Sequence, residues 1–355
     1  MTDVAIIGGG VIGLSTAYEL ARAGATVNII GVKKPGRASE ASAGLLAPSM
    51  GTLPDEMRPF FISSLAAYAA LVRRLQAFDP GLKIVDGLVE ILGDGPVPTL
   101  IAGARRLTSS EAAEIEPSIV APHGALFHEL DGSTDNERLV RALELAVATF
   151  SSVTRTSDEA TAISIRPSSV TITTKSGARI KAARAVLAAG AWAPEIAGLP
   201  RDLPVVPLKG QMLAVQSTAL RHPVVADGVY LVPRESEIVI GATTEHAGFD
   251  LTVEPNAVAG LRQAAGAVCP ALANAPVLRT WAGTRPASAD MFPILGPDPR
   301  APRLIYACGH SKNGILLAAG TAIAVAALAL GGEGSLEVAP FSIARFDRLS
   351  AAKSQ

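Results

Sequence analysis

The chain has 355 residues, 49% of them hydrophobic and 18% charged, with a formal net charge of −1. This composition excludes a disordered polymer, leaves room for two intertwined domains, and gives no electrostatic reason to expect nucleic acid or an acidic membrane as partner. Cys269 and Cys308 stand without CxxC or framework spacing, so they read as free thiols in a reducing compartment.

Residues 4–7 form a short apolar run of the kind found in buried parallel strands. Gly8, Gly9 and Gly10 make a turn. From Val11 to Ala23 apolar residues return at helical spacing (Ile12, Ala17, Leu20, Ala21), and Gly24 is the stop. Val27 to Ile30 reads as a second strand. Strand, turn, helix and strand within about thirty residues is the size of a dinucleotide-binding unit. Residues 39–50 are small and apolar without clear period. Residues 60–78 predict a helix with Leu65, Leu71, Val72 and Leu75 on one face, and residues 84–92 a strand. Residues 108–116 predict a short acidic helix, and residues 135–150 an amphipathic one with Asp135 as N-cap. From Ala162 to Leu187 the pattern turns to strands, with a hairpin turn at Ser176-Gly177. The Pro-rich residues 200–207 mark a crossing point. Residues 208–216, 229–232, 238–240 and 304–307 read as further strands, residues 255–267 as a helix, and Gly314 opens the last helix. Neither long apolar run reads as a targeting or spanning segment. Val4 to Leu14 lacks a basic flank, and the 16 residues from Ile315 to Leu330 fall short of a bilayer span and contain Gly320. A cytoplasmic location is expected.

Gly8-Gly9-Gly10-Val11-Ile12-Gly13 satisfies G-x-G-x-x-G, and its strand-and-helix context makes the match specific. Gly8 permits the tight turn, Gly10 lets a pyrophosphate approach the backbone, and Gly13 lets the helix pack closely on the strand. The helix N-terminus offers free N–H groups and partial positive charge to phosphates. The acid expected after the second strand, for the ribose hydroxyls, is absent: Gly31 stands there. Three outcomes stay open. The ribose contact is lost; or backbone near Gly31 and Val32, with Lys33 or Lys34, takes over; or the basic residues favour a 2′-phosphate and hence NADP. Downstream, Val186 to Trp192 reads VLAAGAW, a buried strand ending in a turn of small residues. The C-terminal third carries Trp281-Ala-Gly-Thr-Arg285-Pro286 and Gly309-His310-Ser-Lys-Asn-Gly314.

These blocks resemble the glycine oxidase and D-amino acid oxidase family of FAD-dependent oxidoreductases, the flavoenzymes related to the thiamine-pathway glycine oxidase. The resemblance runs nearly end to end, through GGGVIG, SEASAGLLAP, VLAAGAW, VPLKGQ, GVYLVPR, IGATTEHAGFD, WAGTRP and GHSKNGILLA. It implies an α/β chain: a Rossmann-like FAD-binding domain (1–80, 131–203 and 278–355) plus an α+β substrate domain with a mainly antiparallel sheet (81–130 and 204–277). It implies non-covalent FAD held by Gly8, Gly10, Val11, Ile12, Gly13, Gly31, Val32, Ala38, Ser39 and Ala160. Ala43, Gly44 and Leu45 match the loop beside the flavin ring, with Gly190 nearby. His310, Ser311, Lys312, Asn313, Gly314, Ile315 and Leu316 match the loop and helix start beneath the flavin pyrimidine. Arg285 matches the arginine that clamps the substrate carboxylate, a role suited to a planar guanidinium. Tyr230 matches a tyrosine lining the substrate pocket. Lys312 stands where close relatives place a substrate-holding arginine; it keeps the charge and loses the fork. Gly228 replaces a polar residue.

The implied reaction is oxidation of a small amino acid, glycine first and sarcosine or small D-amino acids next, by hydride transfer from the α-carbon to the flavin, with no catalytic acid or base of the protein. Imine hydrolysis gives the oxo acid and ammonia or amine, and oxygen accepts the electrons to give hydrogen peroxide. Two alternatives stay open: a dehydrogenase using another acceptor, and a flavin-binding subunit without independent turnover. A homo-oligomer is compatible with all three. The residues alone also leave plainer roles: a salt bridge for Arg285, packing for Tyr230, Trp192 and Trp281, a structural hydrogen bond for His310, and a buried apolar thiol for Cys308.

Overall fold

A computed structural model describes residues 2–50, 53–95, 103–332 and 338–347. Two sheets organise them. The first runs in the order Ile294–Asp298, Ala301–Cys308, Arg179–Leu187, Thr2–Ile7, Val27–Ile30 and Val153–Thr156, with Ala160–Ile165 and Val170–Thr174 attached as an antiparallel extension. Its centre is parallel: Thr2–Ile7 pairs with both Val27–Ile30 and Arg179–Leu187. The opening strand lies between two apolar layers. Val4 and Ile6 face the helices Val11–Arg22, Asn136–Ala148 and Gly314–Ala329, while Ala5 and Ile7 face the opposite core with Ile172 and Leu187. Burial on both faces explains why the strand reads as a continuous apolar run.

The second sheet runs Val277–Ser288, Val205–Gln216, Glu237–Gly241, Val229–Pro233, Val224–Ala226, Ile84–Ile91, Ala125–Thr134 and Leu45–Leu46, with Ala104–Leu107 beside Ala125–Thr134. All its pairings are antiparallel except that of Val224–Ala226 with Ile84–Ile91 among the described residues. One face packs on the helix Pro255–Val268 through Leu213, Ile238, Leu261 and Ala265. This is the mixed α/β architecture expected.

Local signals set many boundaries. Asp135 accepts hydrogen bonds from the Glu137 and Arg138 N–H groups and starts its helix. Thr108 and Glu111 form a capping box ahead of Ser109–Ile115. Gly177 turns the hairpin at φ 88°. The last apolar run is the buried helix Gly314–Ala329, and Gly320 lets it cross the helix Arg58–Leu75 closely, since a Cβ there would lie 2.7 Å from the Ser64 Cβ. No helix of the described residues is long and apolar enough to cross a membrane. Among the described residues seven strands escape the sequence reading: Leu45–Leu46, Ala104–Leu107, Ala125–Thr134, Val153–Thr156, Val224–Ala226, Val277–Ser288 and Ile294–Asp298.

Candidate active site

A cavity of about 730 Å³ is lined by residues from both sheets, toward the upper part of the usual range for ligand sites, about 300–1,000 Å³. One end is the glycine turn. Gly8 sits at φ 117°, and a Cβ there would collide with the Ala188 carbonyl. The helix Val11–Arg22 begins at Gly10 with no side-chain cap and no acidic residue in its first turn. Ser39 bends in beside it, its Oγ accepting the Val11 N–H at 2.9 Å. A second helix, Gly314–Ala329, begins in the wall of the same cavity, also without a capping side chain or an acid in its first turn. Neither N-cap residue supplies a side-chain acceptor, so apart from the Val11 N–H held by Ser39 both helix starts are receptive to negative charge.

The residues named from the sequence as cofactor or substrate contacts line this cavity except Gly13 and Lys33, the latter exposed and paired with Glu144 at 3.0 Å. Gly8, Gly10, Val11 and Ile12 form the turn and helix start. Gly31, Val32 and Ala160 sit at the strand ends. Ala38, Ser39, Ala43, Gly44 and Leu45 form one wall, and Gly190 another. His310, Ser311, Lys312, Asn313, Gly314, Ile315 and Leu316 close the site from below, with Tyr230 and Arg285 at the second sheet. Gly13 lies behind the wall, where a Cβ would strike the Gly8 carbonyl and meet Ile6 at 3.3 Å. Its part is the helix–strand contact expected of it.

The second-sheet wall rests on the strand Val277–Ser288. Arg285 is half-buried, and its Nη1 donates to the carbonyls of Lys209 at 3.3 Å and Thr243 at 3.0 Å. No carboxylate lies within ion-pair distance of it among the described residues. Two bonds from Nη1 orient the plane and leave the remaining N–H groups available. Burial pushes the Tyr230 hydroxyl above its ordinary pKa, so it stays a neutral phenol beside that guanidinium. The loop carrying Thr243 is pinned by the buried Lys209, whose Nζ reaches Asp250 at 2.8 Å and Glu245 at 3.8 Å. Lys312 is exposed at the cavity rim.

His310 is structural in geometry. Its Nε2 meets the Thr321 Oγ1 at 3.0 Å, and burial pushes its pKa down to about 3, so the ring is neutral. Ser311 follows at φ 51°, and its N–H donates to the Pro286 carbonyl, tying this loop to the arginine strand. Cys308 lines the wall, but burial pushes its thiol up to about 12. A thiol held protonated is a poor nucleophile, which fits a cofactor bound without a covalent link. The tryptophans depart from simple core packing. Trp192 lines the cavity, stacked on Phe249 at 5.1 Å, and the half-buried Trp281 donates its Nε1–H to the Ala41 carbonyl.

The motifs did not point to Arg37, Gly210 or Gly241. Arg37 lines the cavity and donates to the Gly9 carbonyl at 3.3 Å. Gly210 and Gly241 make room at the second sheet: a Cβ at Gly210 would lie 2.5 Å from the Arg285 guanidinium, and one at Gly241 2.5 Å from the Tyr230 hydroxyl. The glycine of KGQ beside the arginine motif was the available hint, but only strand pairing brings them together.

The glycine cradle and the two helix starts fit the pyrophosphate of a dinucleotide cofactor. Comparison with known proteins agrees. The family model described as FAD dependent oxidoreductase (DAO) matches residues 3–328. A glycine oxidase of Pseudomonas aeruginosa is 33% identical over 96% of this chain and 98% of its own. The hydrogen cyanide synthase subunit HcnC of the same organism is 31% identical over 97% of this chain and 96% of its own. The crystal structure of glycine oxidase from Geobacillus kaustophilus superposes with a TM-score of 0.87 at 31% identity, covering 97% of this chain and 98% of that one. The chain belongs to the DAO family of FAD-dependent oxidoreductases.

Proposed function

We propose that this enzyme oxidises a small amino acid, with glycine favoured and sarcosine or small D-amino acids as neighbours. The overall reaction joins the amino acid, oxygen and water, and yields the oxo acid, ammonia or amine, and hydrogen peroxide. The observation that carries this reading is Arg285: a half-buried guanidinium in the cavity wall, oriented by two carbonyls and lacking a carboxylate partner among the described residues. An arginine so placed suits a ligand carboxylate. Tyr230 and Gly210 adjoin it in the cavity wall. The flavin supplies the two-electron acceptor. The protein's own part is orientation: Arg285 holds the carboxylate, Lys312 adds positive charge at the rim, and neutral His310 holds the loop in place. The relatives named for glycine oxidase support the amino acid. The same reading assigns residues 1–80, 131–203 and 278–355 to cofactor binding and 81–130 and 204–277 to the substrate.

The test is a panel of glycine, sarcosine and D-alanine with oxygen uptake and peroxide measured together. Equal oxygen loss and peroxide gain with glycine supports an oxidase. Electrons reaching only an artificial acceptor would replace it with a dehydrogenase. The HcnC relative favours one second reading, a subunit that turns over only inside a larger oxidase. Activity of the isolated chain would exclude it.

A further inference from the structure

The ribose-binding acid is missing at Gly31, yet the space for a side chain is there. A Cβ at this position would meet nothing closer than the Gly9 nitrogen at 3.5 Å. Crowding therefore does not account for the glycine, and the ribose hydroxyls still need an acceptor.

Strand pairing brings a different acid to this end of the cavity. Ile30 pairs with Thr156, and the Gly31 N–H donates to the Thr156 carbonyl at 3.1 Å. The two chains therefore leave the sheet side by side. Three residues beyond Gly31 is Lys34; three beyond Thr156 is Glu159; and the two form an ion pair. Both line the cavity, with Ala160 and Thr161 adjoining. The Lys34 ammonium also lies 5.1 Å from the centre of the Trp192 ring, so it is held from two sides. The hydrogen bond from Lys34 holds the Glu159 carboxyl below its ordinary pKa, so it is ionised at neutral pH. Lys34 occupies Oε1. Oε2 has the Lys175 ammonium at 3.8 Å, beyond hydrogen-bond length, and keeps acceptor capacity.

We propose that Glu159 supplies the carboxylate that Gly31 lacks, accepting the ribose hydroxyls of the adenosine half of FAD, with Lys34 as its positioning residue. An acid expected just after the second strand has been exchanged for one in the loop that follows the neighbouring strand Val153–Thr156, at the same end of the same cavity. An anion here also disfavours a 2′-phosphate, which weighs against NADP.

The experiment titrates flavin-free protein with FAD and reads the dissociation constant from flavin fluorescence, with circular dichroism confirming that each variant is folded. Glu159→Gln is nearly isosteric and is expected to weaken FAD about 10- to 100-fold, the range for losing a hydrogen bond to a charged group. Gly31→Glu in that background is expected to restore most of the loss. Lys34→Met, which leaves the carboxylate in place, is expected to weaken FAD less than Glu159→Gln does. An affinity for Glu159→Gln within about twofold of wild type overturns the proposal. So does an equal loss in Lys34→Met, because Glu159 would then matter only as the tie between two loops.

Discussion

Replacing Arg285 by Met removes the guanidinium and keeps most of the apolar stem. In the native protein its Nη1 is committed to the Lys209 and Thr243 carbonyls, and the other N–H groups have no carboxylate to meet among the described residues. A substrate carboxylate taking two of them gains two charge-assisted hydrogen bonds, each worth about 1.5–3 kcal/mol when lost. Partial exposure of the site argues for the lower end, so about 3 kcal/mol is expected. That is roughly a 100-fold fall in kcat/KM for glycine, carried mainly by KM. Arg285→Lys keeps the charge without the fork and should lie between the two. The assay is initial-rate peroxide release over a range of glycine concentrations, paired with FAD titration of the flavin-free protein. FAD affinity should change little, since the clamp belongs to the second sheet. A KM within twofold of wild type, at unchanged kcat, would refute the carboxylate assignment.

Gly13→Ala should abolish flavin retention and lower Tm, because its Cβ would strike the Gly8 carbonyl; purified variant with normal colour and melting would contradict the packing argument. His310 is held neutral by burial, with its pKa pushed down to about 3 against 6.5 in the unfolded chain. The unfolded state therefore binds a proton that the native state refuses, and stability falls as pH drops from about 6.5 toward 3, by up to one proton's worth of slope. Urea unfolding at pH 7 and pH 5 should show a smaller loss in His310→Gln than in wild type, and equal losses would contradict the buried neutral ring. The Cys308 thiol, pushed up to about 12, should form no bond to the cofactor. Acid precipitation should leave a colourless pellet and a yellow supernatant, in wild type and in Cys308→Ala alike.

The first βαβ unit was legible because its glycines and its two apolar periods agree with each other. Arg285 and Tyr230 were legible through motifs, and the structure brings both to the cavity that the glycine turn opens. The strand that carries Arg285 was not legible as a strand. Its first four residues, Val277 to Thr280, are exposed at a sheet edge, and the rest is buried or half-buried without alternation. Ala125–Thr134 hid for a similar reason: its buried and exposed positions do not alternate, and the pairing register slips opposite Gly87. Gly210 and Glu159 escaped because their meaning is tertiary. Each acquires a role from a residue far away in sequence, the first from Arg285 and the second from Gly31 and Lys34. Trp192 looked like core because a lone aromatic after a buried strand usually is, whereas here Lys34 and Phe249 hold it in the cavity wall.

Under the proposed function, glycine delivers two electrons to the bound flavin and oxygen takes them away. Flavin-loaded protein mixed with glycine under nitrogen should bleach, and admission of air should restore the colour with release of one equivalent of hydrogen peroxide. Colour that persists through anaerobic addition of glycine, sarcosine and small D-amino acids would contradict the account.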